Sequence, residues 1–281
     1  MPHMLKNVLS SILAPDEVAQ LYSAFDQIGD IIIIKIPNDL IPKKKLIADT
    51  ILANVKTAKA IFAQVSPVKG DYRVRDLEFV AGENRTITEH REHGCRFKVD
   101  VAKTYFSPRL STERLRIASM VGERETIVNM FAGVGTFSIL MTKINKTCKV
   151  YSIDSNIVAV ELCEINVRLN RVQDRVVSIY GDAAKVIKGT LVGQADRVLM
   201  PLPERAKEFV ESAVLALKKK GVVHYFTHIK ADSKKASQEL ALQNVHNAFS
   251  KYNHNVQKIR VVREVGPRIY QIVADISVRE N

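Results

Sequence analysis

Hydrophobic positions from residue 126 onward fall alternately into short continuous apolar runs and into sets spaced by three or four residues. A short apolar run bounded by turn residues is typical of a buried strand, and the wider spacing is typical of an amphipathic helix. The pattern predicts strands at 126–130, 148–154, 175–180, 195–200 and 221–227. It predicts helices at 134–143, 156–169, 182–187, 205–218 and 232–251. With two closing strands at about 256–264 and 269–278, the alternation predicts an α/β fold whose parallel, doubly wound sheet ends in an antiparallel hairpin.

The chain before residue 108 follows a different pattern. Its predicted helices and strands alternate less regularly, with helical spacing at 4–27, an apolar strand at 31–36, a lysine-rich helix at 37–54 and a strand at 58–65. Short β segments rich in charged residues then extend to Phe106. We therefore expect two domains, a smaller α+β domain at 1–107 and the α/β domain at 108–281.

Two closely spaced glycines, Gly133 and Gly135, separate the first strand of the α/β domain from the helix after it. Glycine lets the backbone turn sharply and lets a ligand approach, and the first N–H groups of the helix face that ligand. The next strand ends in Asp154, close to the offset of about 20 residues at which a carboxylate commonly accepts from ribose hydroxyls. The strand after that leads to Asp182, whose carboxylate can accept from the exocyclic amine of a purine. Together these residues predict a nucleoside site at one sheet edge.

The sequence around the glycines narrows the choice of nucleoside. A G-x-G turn alone is also typical of an ordinary tight turn, so the two strand-end carboxylates carry much of the argument. The turn lacks the third glycine of a dinucleotide fingerprint, and no Lys-Ser/Thr pair follows it as in a P-loop. The pattern therefore favours S-adenosyl-L-methionine as the cofactor over NAD or ATP.

The charge balance is strongly basic. Lysine and arginine number 42 against 30 acidic residues, which gives a formal net charge of +12 and a pI near 9.6. A surface of this sign attracts polyanions, and nucleic acid is the leading candidate. The alternative is a basic surface with no such partner.

The remaining composition argues against several classes of protein. Cys95, Cys148 and Cys163 show neither C-x-x-C nor Cys/His spacing, which predicts reduced thiols and no structural zinc. His90 and His93 lie beside a glycine turn, but one hairpin supplies too few ligands for a metal, so we interpret them as polar hairpin residues. No apolar run reaches the roughly 18 residues of a membrane span, and no signal-peptide layout is present at the start. We expect a soluble, cytoplasmic protein without a metal.

A helix is predicted to begin at residues 111–114. Ser111 or Thr112 can cap it, which places Glu113 in its first turn, where the helix dipole favours a carboxylate. Taken alone, this pattern makes Glu113 an ordinary helix-start residue.

Several motifs together resemble one specific family. They are H-R-E-H-G-C-R-F-K-V-D at 90–100, Y-F-S-P-R-L-S-T-E-R at 105–114, M-F-A-G-V-G at 130–135 and H-Y at 224–225. Over nearly the whole chain they resemble the archaeal and eukaryotic tRNA (guanine-37-N1)-methyltransferase family. The resemblance implies a small RNA-binding domain joined to a Rossmann-like class I methyltransferase domain. It also implies transfer of the methyl group of S-adenosyl-L-methionine to N1 of guanosine 37, next to the anticodon of tRNA.

The resemblance also assigns roles to residues. Glu113 resembles the family's general base, and Arg73 resembles its arginine at guanine O6. Guanine N1 carries a proton at neutral pH, so a base must remove it before the nitrogen lone pair can attack, and a cation at O6 stabilises the resulting charge. Cofactor contacts are implied for Tyr105, Phe131, Gly133, Gly135, Asp154, Asp182 and Pro203.

RNA contacts are expected near the junction of the two domains. Lysine and arginine side chains bind phosphates, and the candidates clustered in sequence at this junction are Arg91, Arg96, Arg109 and Arg114. The chain begins close to the second module of the family, so the extra N-terminal module of many members is expected to be absent. We expect a monomer that binds tRNA through its anticodon arm.

Two positions depart from the family pattern and leave alternatives open. Pro201 replaces an asparagine that would help to hold the target base, and Asn129 replaces a usual aspartate. A sister family transfers the 3-amino-3-carboxypropyl group of the same cofactor to make wyosine bases, and it is one alternative. A non-catalytic tRNA binder is the other. Retention of Arg73 and Glu113 favours the methyltransferase.

Overall fold

The structure of the protein is a computed structural model that describes residues 4–22, 25–66, 70 and 73–279. The chain divides into two compact units, residues 1–109 and 110–281. None of the described helices is long and apolar enough to cross a membrane.

The first unit combines short helices with two small sheets. Its helices are α1 (Met4–Leu9), α2 (Pro15–Gln20) and α3 (Lys44–Asn54), with a 3-10 helix at Asn38–Lys43. Its strands are β1 (Asp26–Ile28), β2 (Ile31–Ile34), β3 (Ala60–Gln64), β4 (Leu77–Gly82), β5 (Ile87–Glu92) and β6 (Cys95–Asp100). The first four strands form one sheet in chain order, in which β2 and β3 are parallel and the other pairs antiparallel. β5 and β6 form an antiparallel hairpin.

An aliphatic core holds this unit together. All four residues of β2 are buried, and α3 buries Ile47, Ala48 and Ile51, the one-face spacing of an amphipathic helix. Leu5 and Leu9, four residues apart on α1, join the same core. Removal of this apolar surface from water stabilises the unit by roughly 25 cal/mol per Å².

Two predictions for this unit were partly wrong. Residues 26–28 form a strand instead of the end of a helix, because Gly29, with a φ of +57°, turns the chain so that β1 pairs antiparallel with β2. The single helix predicted at 37–54 is α-helical only from Lys44. Pro42 lies in the preceding turn and has no backbone N–H to donate to an α-helical ladder.

The second unit is built on one seven-stranded sheet. Its strands are β7 (Thr126–Asn129), β8 (Lys149–Asp154), β9 (Val176–Tyr180), β10 (Ala195–Met200), β11 (Leu217–Lys230), β12 (Asn253–Gly266) and β13 (Ile269–Arg279). Its α-helices are α4 (Ser111–Ala118), α5 (Thr136–Ile144), α6 (Ile157–Leu169), α7 (Ala183–Val186), α8 (Val210–Ala216) and α9 (Lys234–Ala248). A π-helix (Ile187–Leu191) follows α7, and 3-10 helices precede α4 (Pro108–Leu110) and α8 (Ala206–Phe209).

The strand order of this sheet, β12-β13-β11-β10-β7-β8-β9, positions the functional loops. Neighbouring strands from β9 to β11 are parallel, and β13 runs antiparallel to both of its neighbours. The chain runs outward from β7 to β9 and then returns to β10 on the other side of β7. Ligands of open α/β sheets bind at such a switch point, outside the carboxyl ends of the strands. The predicted α/β class with a doubly wound sheet is confirmed.

Two local predictions in this unit were wrong. The strand predicted at 221–227 extends over 217–230, because Leu217 pairs with Ala195 of β10 and β13 pairs with the strand from Lys220 to Lys230; helix α8 ends before it, at Ala216. The start of that strand contains three consecutive lysines, Lys218 to Lys220, so hydrophobic positions did not predict it. Neither Ser111 nor Thr112 caps α4, because Leu110, at the end of the preceding 3-10 helix, already occupies the cap position.

Candidate functional site

The loop at the carboxyl end of β7, residues 130–135, is tied to the neighbouring strand by its backbone. Gly133 has a φ of +54°, and its N–H donates to Asp154 Oδ2 at 2.7 Å. Gly135 has a φ of +86°, and a Cβ built there would lie 2.6 Å from Cys163 Sγ. Only glycine therefore fits at position 135, because α6 packs against the loop. We call residues 130–135 the glycine loop.

Asp154 connects the glycine loop to the ends of β8 and β9. Its Oδ1 accepts from the Asn156 N–H at 2.9 Å, and its backbone carbonyl accepts from the Gly181 N–H at 3.0 Å. Burial raises the pKa of the Asp154 carboxyl, while the N–H groups of Asn156, Gly133 and Ser155 act in the opposite direction. The structure thus brings Gly133, Asp154 and the segment leading to Asp182 to one sheet edge.

The other residues predicted in this region lie on the same loops. Asp182 caps α7, where its Oδ1 accepts from the Lys185 N–H at 3.0 Å. Phe131 packs edge-on against Phe209 with ring centroids 5.0 Å apart. Pro203 is buried in the loop that follows β10. Backbone N–H groups, carboxylates and an aromatic ring therefore line the switch point, and this set fits a nucleoside.

Asn129, at the end of β7, is buried and forms a hydrogen bond inside the domain. Its Nδ2 donates to Ser138 Oγ at 3.1 Å, and Ser152 Oγ lies 2.6 Å from the same hydroxyl. All three side chains are buried. The Ser138 hydroxyl therefore joins Asn129 on β7 to Ser152 on β8 through hydrogen bonds.

Glu113 on α4 is buried in an ionic cluster. Its Oε1 accepts from Arg116 Nε at 2.9 Å and from Arg116 Nη2 at 2.7 Å. Its Oε2 lies 3.2 Å from Arg260 Nε on β12, outside hydrogen-bond geometry. The side chain of Glu113 is 1% exposed, whereas that of Arg260 is 40% exposed. One oxygen of the carboxylate is therefore fixed, and the other faces a partly exposed cation.

The same arginine binds a second carboxylate. Arg116 Nη1 and Nη2 donate to Asp275 Oδ2 at 2.7 Å and Oδ1 at 3.0 Å, a two-point contact with β13. Burial lowers the pKa of Arg116, but its hydrogen bonds to Asp275 and Glu113 outweigh burial and raise it. Burial raises the pKa of Asp275, but hydrogen bonds from His224 and Arg116 hold it well below its usual range. Both groups are therefore charged at neutral pH.

His224 on β11 continues the cluster. Its Nδ1 lies 2.7 Å from Asp275 Oδ1, and its Nε2 lies 2.7 Å from Arg197 Nη1. Arginine can only donate, so Nε2 must accept and Nδ1 must carry the proton. Burial lowers the pKa of His224, and the Arg197 charge acts in the same direction. Arg197 also binds Glu125 through two hydrogen bonds. We call Glu113, Arg116, Asp275, His224, Arg197 and Glu125 the charge network.

Sequence reasoning missed most of the charge network. The three-residue spacing of Glu113 and Arg116 on a helix was a usable signal, since side chains three apart share a face. Asp275 and Arg197 lie in apolar strands far from Glu113 in the sequence, and no local pattern relates them to it.

Arg73 and Tyr105, both predicted site residues of the first unit, are brought together. The Arg73 guanidinium carbon lies 4.0 Å from the centroid of the Tyr105 ring, a cation–π contact. Arg73 itself has a φ of +52°, in the left-handed region that a non-glycine residue seldom adopts. The guanidinium of Arg73 therefore lies over the face of the Tyr105 ring.

Three of the four arginines expected to bind RNA are exposed enough to do so. Arg91 and Arg96 both bind Glu89, at 3.0 and 2.6 Å, and Arg109 binds Asp26 at 2.8 Å. Arg114 differs, because it is 2% exposed. A buried guanidinium does not reach a phosphate in this conformation, so we no longer include Arg114 among the RNA contacts.

The β5–β6 hairpin has the polar character expected from its sequence. His90 Nδ1 accepts from the Gly29 N–H at 3.2 Å, and its ring packs against Phe106. His93 lies at the turn with a φ of +48°. In the part of the chain that the structure describes, no three His, Cys, Asp or Glu residues are arranged to hold a metal ion.

Comparison with known sequences identifies the family. A sequence model of the TRM5/TYW2 methyltransferase domain matches residues 88–262, more than half of the chain. The chain belongs to the TRM5/TYW2 family. A second model, of the TYW2 N-terminal domain, matches residues 5–86.

Curated members of the TRM5/TYW2 family match over most of the chain. The tRNA (guanine(37)-N(1))-methyltransferase Trm5b of Pyrococcus abyssi is 40% identical over 94% of this chain and 78% of its own length. The tRNA 4-demethylwyosine(37)-methyltransferase Taw21 of Saccharolobus solfataricus is 35% identical over 92% of this chain and 94% of its own length. A tRNA(Phe) (4-demethylwyosine(37)-C(7)) aminocarboxypropyltransferase of Methanocaldococcus jannaschii is 32% identical, over 89% of this chain and 96% of its own length.

Solved structures of the TRM5/TYW2 family share the fold. A complex of aTrm5 with tRNALeu matches with a TM-score of 0.85 and 34% identity, over 99% of this chain and 79% of that chain. Methanocaldococcus jannaschii TYW2 in complex with AdoMet matches with a TM-score of 0.69 and 26% identity, over 92% of this chain and all of that chain.

Proposed function

We propose that this TRM5/TYW2 family member transfers the methyl group of S-adenosyl-L-methionine to N1 of guanosine 37 in tRNA. Buried Glu113 is the observation that carries the proposal. One of its oxygens is fixed by Arg116, and the other accepts no hydrogen bond from any described residue, as a proton acceptor requires. The names of the P. abyssi and other Trm5b relatives point to the same reaction.

Glu113 Oε2 is the proposed acceptor of the guanine N1 proton. As the N1–H bond breaks, its electron pair remains on nitrogen and forms the new bond to the methyl carbon. S-adenosyl-L-methionine, when bound, supplies that methyl on a positively charged sulfur, which departs with the old bonding pair. The negative charge that would spread onto guanine O6 needs a cation, and we assign that role to Arg73, which the Tyr105 ring holds from one face.

The cofactor is proposed to bind at the switch point of the sheet. Asp154 would accept from the ribose hydroxyls, since both of its oxygens retain lone pairs beyond their backbone hydrogen bonds. Asp182 would accept from the adenine amine. The remaining proposed contacts surround the cofactor with backbone and apolar surface from Tyr105, Phe131, Gly133, Gly135 and Pro203.

The smaller domain, which we place at 1–107, is proposed to bind the anticodon arm. Exposed Arg91 and Arg96 of this domain, together with Arg109 directly after it, carry positive charge suited to phosphates. We further propose that the enzyme acts as a monomer in the cytoplasm. Its three cysteines are buried free thiols, as expected in a reducing compartment.

A second candidate substrate is 4-demethylwyosine at the same tRNA position. The observation that favours it is the match of the N-terminal residues to the TYW2 domain, together with the near full-length match to Taw21. This candidate keeps the cofactor and the methyl transfer but requires a different acceptor atom. The other alternative is transfer of an aminocarboxypropyl group, the reaction named for the Methanocaldococcus jannaschii relative.

Mass spectrometry of the modified nucleoside separates these functions. The protein is incubated with S-adenosyl-L-methionine and a tRNA transcript carrying guanosine 37. Parallel reactions use a transcript carrying adenosine 37 and a tRNA containing 4-demethylwyosine at that position. We expect the mass of one methyl group on guanosine 37, assigned to N1, and no product on the adenosine transcript. An aminocarboxypropyl adduct, or a methyl group found only on tRNA containing 4-demethylwyosine, would contradict the proposal.

A further inference from the structure

Arg116 is placed between the proposed base and the interior of the sheet. Its side chain is 15% exposed, and the two carboxylates that it joins are 1% and 2% exposed. A guanidinium between two buried carboxylates is desolvated, and such an arrangement is seldom retained for stability, since apolar residues of similar volume often serve equally well. The arrangement calls for a functional explanation.

The hydrogen bonds of Arg116 leave no donor for a substrate. Arginine has five N–H donors. Those of Arg116 go to Glu113 twice, to Asp275 twice and to Met120 Sδ once, at distances between 2.7 and 3.1 Å. Any influence of Arg116 on the reaction must therefore pass through a residue that it holds.

The contacts of Arg116 on the side facing the sheet hold its guanidinium in one position. Asp275 accepts two hydrogen bonds from Arg116, and the Nδ1 proton of neutral His224 is directed at the same carboxylate. His224 is in turn held by Arg197 at its other nitrogen. A single orientation of the guanidinium satisfies all of these groups, so its position is fixed from within the sheet.

We propose that Arg116 is a positioning residue that fixes the rotamer of Glu113 and reserves Oε2 for the guanine proton. This inference rests on the proposed role of Glu113 as the base. Both donors that Arg116 directs at Glu113 converge on Oε1, so the carboxylate cannot rotate without breaking two hydrogen bonds. The other charged neighbours of this pair are Arg260, beside Oε2, and Asp275, on the far side of Arg116.

A double-mutant cycle tests the proposal. Single-turnover methyl transfer is measured with saturating tRNA and cofactor for wild type, Arg116→Gln, Glu113→Gln and the double variant. We expect Arg116→Gln to lower the rate roughly 10- to 100-fold in the wild-type background, because misplacing a catalytic group by about 1 Å can have effects of this size. In the Glu113→Gln background the same substitution should lower the rate less than about threefold. Affinities for tRNA and cofactor should stay near wild type.

Two further variants separate positioning from folding. Arg175→Gln removes an arginine of similar exposure, 20%, that donates to the Thr142 carbonyl in the same unit, and its rate should stay near wild type. Arg116→Lys keeps the charge without the two-point contact, and its rate should fall between those of Arg116→Gln and wild type. If Arg116→Gln does not fold, Arg116→Lys replaces it in the cycle, with the same loss of effect expected in the Glu113→Gln background.

The outcomes distinguish this inference from the proposed function. Equal rate losses from Arg116→Gln with and without Glu113 would overturn the positioning role while the function stands. A rate loss that only follows the folded fraction, measured by circular dichroism, would overturn it as well. A wild-type protein that adds no methyl group to guanosine 37 would instead contradict the proposed function itself.

Discussion

The glycine loop and the charge network hold functional groups by opposite means. In the glycine loop, contiguous residues are shaped by backbone conformation and by one short hydrogen bond from Gly133 to Asp154. In the charge network, side chains from α4, β10, β11 and β13 are held by one another. The first arrangement is local in sequence, and the second exists only after the sheet has assembled.

This difference has energetic consequences. Loss of the Asp154 carboxylate removes two backbone hydrogen bonds but leaves the glycine turn itself in place, so substitutions there should affect binding more than folding. A buried network leaves an uncompensated charge when one member is lost, so substitutions there should affect folding strongly. The following predictions test this contrast.

The largest effect is expected on stability, from Asp275→Ala. The variant leaves Arg116 and His224 without their shared acceptor, and breaking a buried pair in this way should lower the free energy of unfolding by about 3–5 kcal/mol. Glu164→Ala, which removes an exposed ion pair with Arg168 on α6, is the control and should cost less than about 1 kcal/mol. Urea denaturation measures both. Similar losses in the two variants would refute the contrast.

In the glycine loop, Asp154→Ala should act mainly on the cofactor. If Asp154 accepts from the ribose hydroxyls, its loss leaves them unpaired and should weaken binding of S-adenosyl-L-methionine by ~1–3 kcal/mol, roughly tenfold or more. Isothermal titration calorimetry measures the affinity, and urea denaturation should show a smaller loss of stability than in Asp275→Ala. Wild-type affinity in a folded Asp154→Ala protein would mean that the ribose site lies elsewhere.

The smallest effect concerns pH and His224. Its pKa is lowered in the folded state by burial, so below about pH 6.5 the unfolded chain takes up a proton that folded His224 does not. Neutral His224 therefore stabilises the fold fully above about pH 6.5. Below that pH the free energy of unfolding decreases, by up to about 1.4 kcal/mol per pH unit. The His224→Gln variant should show a shallower decline between pH 6.5 and 5.5 in denaturation measurements. Equal slopes would show that folded His224 does take up the proton.

The glycine loop could be predicted from the sequence because its determinants are contiguous. Gly133 and Gly135 mark the turn, and the strand ending in Asp154 follows at the expected offset. The structure places the Gly133 N–H on the Asp154 carboxylate, at the sheet edge where both residues were predicted to lie. What the sequence did not indicate is that Gly135 is also required by the packing of Cys163.

The charge network could not be predicted because its members are related only through the sheet. His224 and Asp275 lie opposite each other in the register of β11 and β13, and Arg197 precedes them on β10. Register is a property of strand pairing, and single-strand patterns do not specify it. Burial of Arg114 could have been predicted, because the apolar Ile117 and Ala118, three and four residues further along α4, share its helix face and are buried with it.

The most direct test of the account is the single-turnover rate of Glu113→Gln on tRNA carrying guanosine 37. Glutamine keeps the size of the side chain and can still accept from Arg116, but it cannot take up the N1 proton. Asp196→Asn, which changes a carboxylate that is paired with Lys218 and is not a member of the charge network, is the control for loss of charge. We predict a rate roughly 10²-fold or more below wild type for Glu113→Gln, with tRNA and cofactor affinities and the Asp196→Asn rate near wild type. A wild-type rate for Glu113→Gln would contradict the account and leave Glu113 as a structural carboxylate of the charge network.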